Sequence, residues 1–375
     1  ERSRLHYRIG HLHADASSPE ETTEKIFYIV HQLNSGVACT GSREERIQLA
    51  RLNLTAGQEA KSSTAYLSAE SYLDTGIGLL DDESWERDYR LAFDLHFEKA
   101  ECEYLNGKFE RANDILDFLL SHAVSKVDKA RVHDKRIIIM TNLGNHRAGM
   151  EYGLEALRMF GIRIPAAPAR VRIMKGVITA ALLLGRRKIR ELLDANEITD
   201  PEKIMIMTLC MDTGTSAYLV NNDVVALLAL TMLNMSLRYG NTRISPFAYL
   251  SFGLILGYGM GLYRTAYSFG KLSLALTDKQ NNFDLKPRIL FIFGFLISHW
   301  RKHYSQTIEL MRESYRIGVE TGDINYAVFS AINIIQLRIR LGDNLDQVFH
   351  ELSQYRDFVY RTKNEEFIYE FIINE

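Results

Sequence analysis

The chain has 375 residues, of which 46% are hydrophobic and 25% are charged, and its formal net charge is −2. A chain of this composition can bury a large core. Its near-neutral charge argues against a general nucleic-acid-binding protein, because such proteins usually carry a clear basic excess.

Three cysteines, Cys39, Cys102 and Cys210, are far apart and include no CxxC spacing. This sparse, odd set favours a reducing compartment over a disulfide framework. No apolar run approaches the roughly 20 residues that a transmembrane helix needs, and no signal peptide is evident. We therefore expect a cytoplasmic location. Because the chain begins with Glu1, we also expect it to be a segment of a longer protein.

The first elements in chain order have clear helix starts. Residues 1–17 are basic with scattered aromatics, and we interpret them as the remnant of a preceding domain. Ser18-Pro19-Glu20-Glu21 then has a serine cap, a proline at the first helical position and a glutamate three residues after the cap. Ser42-Arg43-Glu44-Glu45 is a second capping box, so the sequence predicts helices beginning at both places.

The segment 95–120 predicts a helix, a glycine stop at Gly107 and a second helix. Phe109 and Ala112 follow the glycine, as an aromatic beside the turn and a small residue where two helices cross. This combination is typical of a tetratricopeptide hairpin. One such hairpin cannot bury its own apolar face, so we expect neighbouring hairpins of the same kind.

The same spacing recurs along the chain at intervals of about 40 residues. Two pairs repeat it well and two are weaker copies: Tyr66 with Ala69, Tyr263 with Ala266, Tyr304 with Thr307, and Gly342 with Gln347. No sustained period-two alternation indicates a sheet. The sequence therefore predicts an all-α fold, a tetratricopeptide-like α-α superhelix (solenoid) of eight or nine helical hairpins.

A basic segment interrupts this array. Between residues 163 and 190 there are eight basic residues and no acidic one. The predicted surface residues of this basic insert are Arg170, Arg172, Lys175, Arg186, Arg187, Lys188 and Arg190. We treat residues 162–198 as an insert or degenerate repeat between N-terminal repeats at 18–161 and C-terminal repeats at 199–375. Three interpretations remain open: a solvated helix beside an acidic neighbour, a docking site for an acidic protein, or contact with a membrane surface.

Several motifs resemble one family of multidomain proteins. They are LHYRIGHL, IVHQLNSG, ERIQLARLNLTAGQEAKSSTAYLSAESYL, WERDYRLAFDLHFEKAECEYLNGKFERA, LRYGN, YGMGLYRTAYSFGKLSL and SHWRKHY. Together they resemble the tetratricopeptide region of large signalling proteins that also carry a STAND-type ATPase, a GAF domain and a hybrid histidine kinase or Ser/Thr kinase. A more distant likeness is to the sensor region of the maltose-operon activator. The resemblance implies a regulatory segment between catalytic domains.

No catalytic constellation is evident. The sequence has no P-loop, no nucleophile elbow and no HExxH motif. His299 and His303 have metal-ligand spacing on a helix, but a zinc site normally needs three or four ligands. We therefore predict a segment that is not an enzyme, with no catalytic residue, metal site or cofactor.

The concave side of the array is the predicted interaction surface. In repeats of this type the first helix of each pair lines that side. Registering each unit on its turn places there Asp94, Glu98, Glu101, Tyr104, Asp212, Thr215, Tyr218, Ser251, Tyr258, His299, Trp300, Asn333, Gln336 and Arg340. Aromatic and polar side chains together are what a recognition groove needs.

These residues predict a function in protein interaction and signal relay within a larger cytoplasmic regulator. The partner would be another protein or a flanking domain of the same chain, and not a nucleic acid. The alternative is a small-molecule effector-binding sensor domain of an ATPase-coupled signalling or transcriptional regulator.

Overall fold

A computed structural model describes residues 1–16, 18–165 and 170–374 of the chain. Over these ranges the structure is almost entirely helical, and its one β feature is an isolated bridge between Glu197 and Asn241. The predicted all-α class is therefore confirmed. The helices form two compact units, Glu1–Tyr152 and Gly153–Glu375.

The first unit contains nine complete helices among its described residues, and a tenth begins in it. They are α1 (Arg2–Asp15), α2 (Pro19–Glu24), α3 (Ile26–Ser35), α4 (Arg43–Ser62), α5 (Tyr66–Gly78), α6 (Ser84–Arg87), α7 (Tyr89–Leu105), α8 (Phe109–His122), α9 (Lys126–Asn142) and α10 (His146–Met159). A short 3₁₀ turn, Val37–Cys39, lies between α3 and α4.

The second unit continues from the later part of α10. Its described helices are α11 (Arg170–Leu184), α12 (Pro201–Ala217), α13 (Asn222–Tyr239), α14 (Ser245–Leu254), α15 (Tyr263–Lys279), α16 (Lys286–Ile292), α17 (Tyr304–Thr321), α18 (Ile324–Leu341), α19 (Leu345–Arg361) and α20 (Glu365–Ile372). Two π-helical segments, Ile255–Gly259 and Phe293–Ile297, extend α14 and α16. Two 3₁₀ segments are Ile189–Asp194 and Ser298–Trp300.

The predicted helix starts are confirmed by their hydrogen bonds. The Ser42 hydroxyl accepts from the backbone N–H of Glu45 at 3.1 Å, and the Glu45 carboxylate accepts from the backbone N–H of Ser42. Ser18 and Glu21 exchange the same pair of bonds at the start of α2. Each capping box satisfies two N–H groups that a helix start would otherwise leave without a partner.

Consecutive helices pack as hairpins in the tetratricopeptide manner. The pairs are α4 with α5, α7 with α8, α12 with α13, α14 with α15, α16 with α17, and α18 with α19. The turn residues Gly107, Gly144, Gly261 and Gly342 all have positive φ, near 70°. A left-handed residue at this position ends a helix and lets the chain reverse, and glycine adopts it without strain.

The small residue that follows each turn lies where the two helices cross. Ala69, Ala112 and Ala266 are each fully buried, as their spacing predicts. Thr307 takes the same place in α17, and its hydroxyl donates to the carbonyl of Gly294 at 3.1 Å. A residue without a long side chain at this point allows close approach of the helices.

The assignment of Gln347 to this position is wrong. Gln347 is exposed, and Val348, which is 4% exposed, packs into the core instead. The reason is the helix start: Asn344 caps α19, and the buried residue lies four positions after the cap, as it does in α17. Counting from the cap places the crossing residue correctly where counting from the turn glycine does not.

Each unit buries several hydrophobic clusters along its stack. In the first unit, one cluster centres on Leu73 and Leu95 and another on Phe93 and Leu116. In the second unit, a large cluster centres on Ile332 and continues through α19 to α20. Such clusters, each shared by neighbouring hairpins, are the core that a repeat array builds.

The basic segment is held on the second unit by α11, which packs along α13. Residues 166–169 of the predicted insert, and Ser17 of the predicted N-terminal remnant, lie outside the described residues. The domain boundaries near residues 162 and 199 stay predictions. Within the described ranges, none of the helices is long and apolar enough to cross a membrane.

Candidate partner-binding site

The first unit places its predicted groove residues in an ion-pair network between first helices. On α7, Glu98 and Glu101 both pair with Lys61 of α4, and Glu101 also pairs with Lys135 of α9 at 2.8 Å. Asp94 pairs with Arg131 at 3.1 Å. These carboxylates are already neutralised across neighbouring hairpins, so they hold the stack together.

Tyr104 of the same unit is half-buried at the end of α7. Its hydroxyl accepts from the side-chain amide of Asn142 at 2.6 Å, and its ring lies 5.8 Å from that of Phe109. Tyr104 therefore joins two successive hairpins at their turns.

The second unit has an unusual feature at the ends of two first helices. α14 runs into the π-helical segment Ile255–Gly259, and α16 runs into Phe293–Ile297 followed by the 3₁₀ turn Ser298–Trp300. The two segments occupy equivalent places in successive hairpins. Single π-helical turns are rare and frequently occur at functional sites, because they re-aim the side chains that follow.

Five rings meet beside these segments. The Trp300 ring lies 5.0 Å from Tyr258, 5.0 Å from Tyr263 and 5.4 Å from His299, measured between ring centroids. His299 in turn stacks on Tyr304 at 5.7 Å with nearly parallel planes. We call Tyr258, Tyr263, His299, Trp300 and Tyr304 the aromatic patch.

The backbone of the first π-helical segment positions the indole. A Cβ atom built on Gly257 would lie only 2.0 Å from Cη2 of Trp300. The Trp300 ring therefore lies directly against the Gly257 backbone, which is possible because glycine has no side chain. The patch thus depends on a particular helix geometry.

The outer rim of the patch faces solvent. Tyr258 is 63% exposed, and Tyr263 and Tyr304 are also exposed, while His299 and Trp300 are half-buried. Partial burial, together with the nearby hydroxyls of Tyr304 and Tyr218, raises the pKa of Tyr258 above its ordinary value. Tyr218, which directly follows α12, is itself exposed.

The remaining predicted groove residues differ in their surroundings. Asp212, Ser251 and Gln336 are half-buried on first helices, and Thr215 and Arg340 are exposed. Asn333 is buried, and its amide donates to the carbonyl of Phe329 at 2.8 Å. Of the predicted groove residues in this unit, the structure therefore brings together Tyr258, His299 and Trp300.

The two histidines with metal-ligand spacing have other contacts. His299 Nδ1 lies 3.0 Å from the carbonyl of Phe295. The His303 ring caps α17, where its Nδ1 accepts from the backbone N–H of Ser305. In the part of the chain that the structure describes, no three His, Cys, Asp or Glu side chains form a group able to hold a metal ion.

All seven residues predicted for the basic insert are exposed. They are Arg170, Arg172 and Lys175 at the start of α11, and Arg186, Arg187, Lys188 and Arg190 after its end. Arg187 has a structural contact as well, since its guanidinium donates to the carbonyl of Leu237 on α13 at 3.0 Å.

Two members of the aromatic patch were assigned only to the helical turns by sequence reasoning. Tyr263 and Tyr304 follow their turns at the position of Phe109, so the repeat pattern explains them as turn aromatics. The missed signal is the aromatic residue at the end of each preceding first helix, Tyr258 or Trp300. Aromatic residues on both sides of a turn can contact each other and form a binding surface, whereas a single aromatic residue only packs into the turn.

Comparison with known proteins finds one curated relative with a signalling function. The chain is 24% identical over 362 residues to the hybrid signal transduction histidine kinase G of Dictyostelium discoideum. The match includes 89% of this chain but only 10% of the kinase, so the chain spans a tenth of that protein's length. No protein-family model matches the chain.

Among solved structures, a match is a signal transduction ATPase with numerous domains and a tetratricopeptide repeat sensor from Pyrococcus horikoshii. It is 13% identical, covers 99% of this chain and 55% of that one, and has a TM-score of 0.37. The packing of its own successive helical hairpins makes the chain an all-α, tetratricopeptide-like array, and its sequence is similar to a stretch of a signalling kinase.

Proposed function

We propose that the chain is a non-catalytic interaction and signal-relay segment of a larger regulator, and that it binds its partner through the aromatic patch. The observation that carries this proposal is the cluster of exposed rings around Trp300. The similarity to a stretch of a hybrid histidine kinase supports a role in signalling.

The patch has the properties of a binding hot spot. Tyrosine and tryptophan supply a large contact area and lose little conformational entropy when they are immobilised. Leu262 and Met260, in the turn between α14 and α15, are also exposed and extend the apolar surface. A contiguous exposed apolar surface of this kind marks an interaction site more often than scattered single residues do.

The charge around the patch indicates the chemistry of the partner. Arg264, Arg301 and Lys302 adjoin patch residues in sequence, are exposed, and make no ion pair among the described residues. A peptide or domain surface that combines apolar and acidic side chains would match both features, since complementary charge supplies specificity.

The relay would be conformational. A partner that binds one arrangement of the π-helical segments more tightly than another shifts the equilibrium toward that arrangement. Because both segments lie at the ends of first helices, such a shift would change the packing of successive hairpins. Flanking domains of the parent protein would then respond.

The test uses peptides selected from a displayed random library against the whole chain, with affinities measured by calorimetry. Replacing Tyr258 and Trp300 together by alanine should lower the affinity for the selected peptides at least about tenfold, because two central contact residues are lost. Tyr258→Ala alone should also lower the affinity for these peptides. Because Tyr258 is exposed, this variant should keep the circular dichroism spectrum of the wild type.

The matched control is the double variant Phe349→Ala with Tyr369→Ala, which removes two exposed rings of the same unit outside the patch. It should leave the affinities unchanged. Equal affinities for the wild type and both patch variants would exclude the patch as the binding surface.

The alternative function, binding of a small-molecule effector, is favoured by one feature. An open cleft of about 520 Å³ lies on α17, α18 and α19, and polar side chains including Arg312, His350 and Gln354 line it. A thermal-shift screen with sugars and nucleotides distinguishes the two functions. A compound that raises the unfolding temperature of the wild type and of the patch variants alike would support this second site.

A further inference from the structure

Helix α11 has one face that is firmly attached to the second unit. Its side chains Ile173, Val177 and Ala180 pack in the cluster that contains Leu230 and Leu233 of α13. The Leu230 side chain also lies directly against the α11 backbone, because a Cβ built on Gly176 would lie 2.9 Å from Cδ1 of Leu230. This helix is therefore a fixed part of the unit.

The opposite face of α11 is also apolar. Val171, Met174, Ile178 and Leu182 are between 52% and 81% exposed. Their spacing of three or four residues places them in one line, about 16 Å long at 1.5 Å per residue. We call these four residues the α11 stripe. A helix with apolar residues on two opposite faces normally buries both of them. In the part of the chain that the structure describes, the stripe is left uncovered.

Basic residues lie at both ends of the stripe. Arg170 and Arg172 are at its start, Lys175 follows Met174, and Arg186 and Lys188 follow its end, all of them exposed. No acidic residue occurs from Arg170 to Arg190. A partner for this surface therefore needs apolar side chains in its centre and negative charge at its two ends.

We propose that the α11 stripe is the docking surface for an amphipathic helix of a separate polypeptide, one whose apolar face is flanked by acidic residues at both ends. A helix recognised in this way presents anchors at positions i, i+3 or i+4, and i+7, which match the spacing of the stripe. The acidic ends would pair with the basic groups and fix the register. The site shares no residue with the aromatic patch and does not depend on the proposed function.

The charge pattern disfavours two other occupants. In a contact between two copies of α11, basic ends would meet basic ends in either direction, because both ends carry the same charge. An anionic membrane would attract the basic residues but repel Glu191, Asp194 and Glu197, which are exposed immediately after them. A discrete helix avoids both conflicts, because, unlike a continuous membrane surface, it can end beside the basic groups and before these three carboxylates.

The probe for this proposal is a synthetic fluorescent peptide of about 18 residues, which as a helix is about 27 Å long and extends beyond both ends of the stripe. It carries leucines in the matching stripe and glutamates at both ends, and a second peptide carries lysines instead of the glutamates. Fluorescence anisotropy with the whole chain should show that the glutamate peptide binds at least about tenfold more tightly than the lysine peptide. Its affinity should fall with added salt.

The variant Met174→Glu with Ile178→Glu should lower the affinity for the glutamate peptide at least about tenfold, because it places charge in the apolar contact. Both positions are exposed, and circular dichroism checks that the fold is kept. Arg172→Gln with Arg186→Gln should weaken binding less and reduce its salt dependence. The control variant Leu345→Glu with Phe349→Glu, at exposed positions of α19, should bind as the wild type does.

Absence of binding by the glutamate peptide, or equal affinity for the wild type and the stripe variant, would overturn the proposal. Co-sedimentation with phosphatidylcholine vesicles that contain about one quarter phosphatidylserine tests the membrane. Sedimentation that the stripe variant abolishes, in a chain that does not bind the peptide, would assign the stripe to a lipid surface instead.

Discussion

Gly257 determines where the indole of Trp300 can lie. The ring atoms Cη2 and Cζ3 of Trp300 would lie 2.0 and 2.2 Å from a Cβ at this position. No Cβ tolerates such distances, and the neighbour here is a rigid ring rather than the flexible end of a side chain. The absence of a Cβ at Gly257 thus permits the contact between its backbone and the Trp300 ring, which lies at the centre of the aromatic patch.

Gly257→Ala should displace Trp300 and destabilise the chain by about 1–3 kcal/mol, as overpacking of a well-packed site usually does. Urea unfolding measures the loss of stability, and a red shift of the fluorescence emission reports exposure of the indole. Gly259→Ala is the control, because a Cβ there would meet nothing within 4 Å. A Gly257→Ala variant with unchanged stability and emission would contradict the described packing.

At the scale of elements, Glu351 links three helices. Its carboxylate on α19 accepts two hydrogen bonds from Arg312 of α17 at 3.0 Å, and one from Arg338 of α18 at 2.6 Å. The Tyr355 hydroxyl also donates to it, at 3.0 Å. Glu351 is 9% exposed. A buried charge of this kind needs all its partners, because each lost partner leaves a charge without compensation.

Burial alone would raise the pKa of Glu351, but the hydrogen bonds from Arg312 and Arg338 outweigh it and lower the pKa below its ordinary value of 4.5. A carboxyl with a lowered pKa in the folded state stabilises that state above its ordinary pKa. The stabilisation is lost as the pH falls through the lowered value.

Glu351→Gln should therefore destabilise the chain by about 1–3 kcal/mol at neutral pH, a range that allows for the partial exposure of Arg312. The difference from the wild type should shrink below pH 4.5, which urea unfolding at several pH values measures. Glu309→Gln removes a highly exposed partner of Arg312 and should change stability by less than about 1 kcal/mol. A pH-independent difference would contradict the role of the charge.

At the scale of the whole molecule, apolar surface is buried mainly between helices that are close together in the sequence. Each described hairpin packs mainly on the hairpins before and after it, as α5 does on α7 and α15 on α16. In such an array the stability is a sum of hairpin terms and nearest-neighbour terms. A local loss of packing should therefore weaken nearby helices most.

Leu95→Ala removes a fully buried side chain of α7 and should cost about 2–5 kcal/mol locally. Hydrogen exchange should accelerate most in α4 to α9 and least in α17 to α19. Leu67→Ala, at a highly exposed position on α5, is the control and should leave exchange unchanged. Uniform acceleration along the chain would show that it unfolds as one cooperative block.

The hairpin pattern was predictable because it depends on local chemistry. Gly107 has the left-handed conformation that its turn requires, and Ala112 is buried at the crossing that its spacing predicts. The prediction for the last copy is wrong by one residue, at Gln347, because the register depends on the cap Asn344 and not on the turn glycine. A single misplaced cap shifts every later side chain by 100° around the helix.

The aromatic patch was only partly predictable. Registering the repeats placed Tyr258, His299 and Trp300 on first helices, but their contact with Tyr263 and Tyr304 depends on two π-helical segments. A π-helical turn has no simple sequence signature, since it results from how a helix end packs against its neighbours. The exposed stripe on α11 was also only partly predictable. The composition of α11 indicates an apolar helix, but it does not indicate which face of the helix α13 covers.

The sequence alone determined the all-α class, the helix starts and the hairpin period, because caps, turn glycines and small crossing residues act over a few neighbouring positions. Only the tertiary structure decided which rings meet at Trp300, which carboxylates are neutralised and which side of α11 remains exposed. Those outcomes depend on contacts between residues tens of positions apart, and such contacts are set by packing rather than by local spacing.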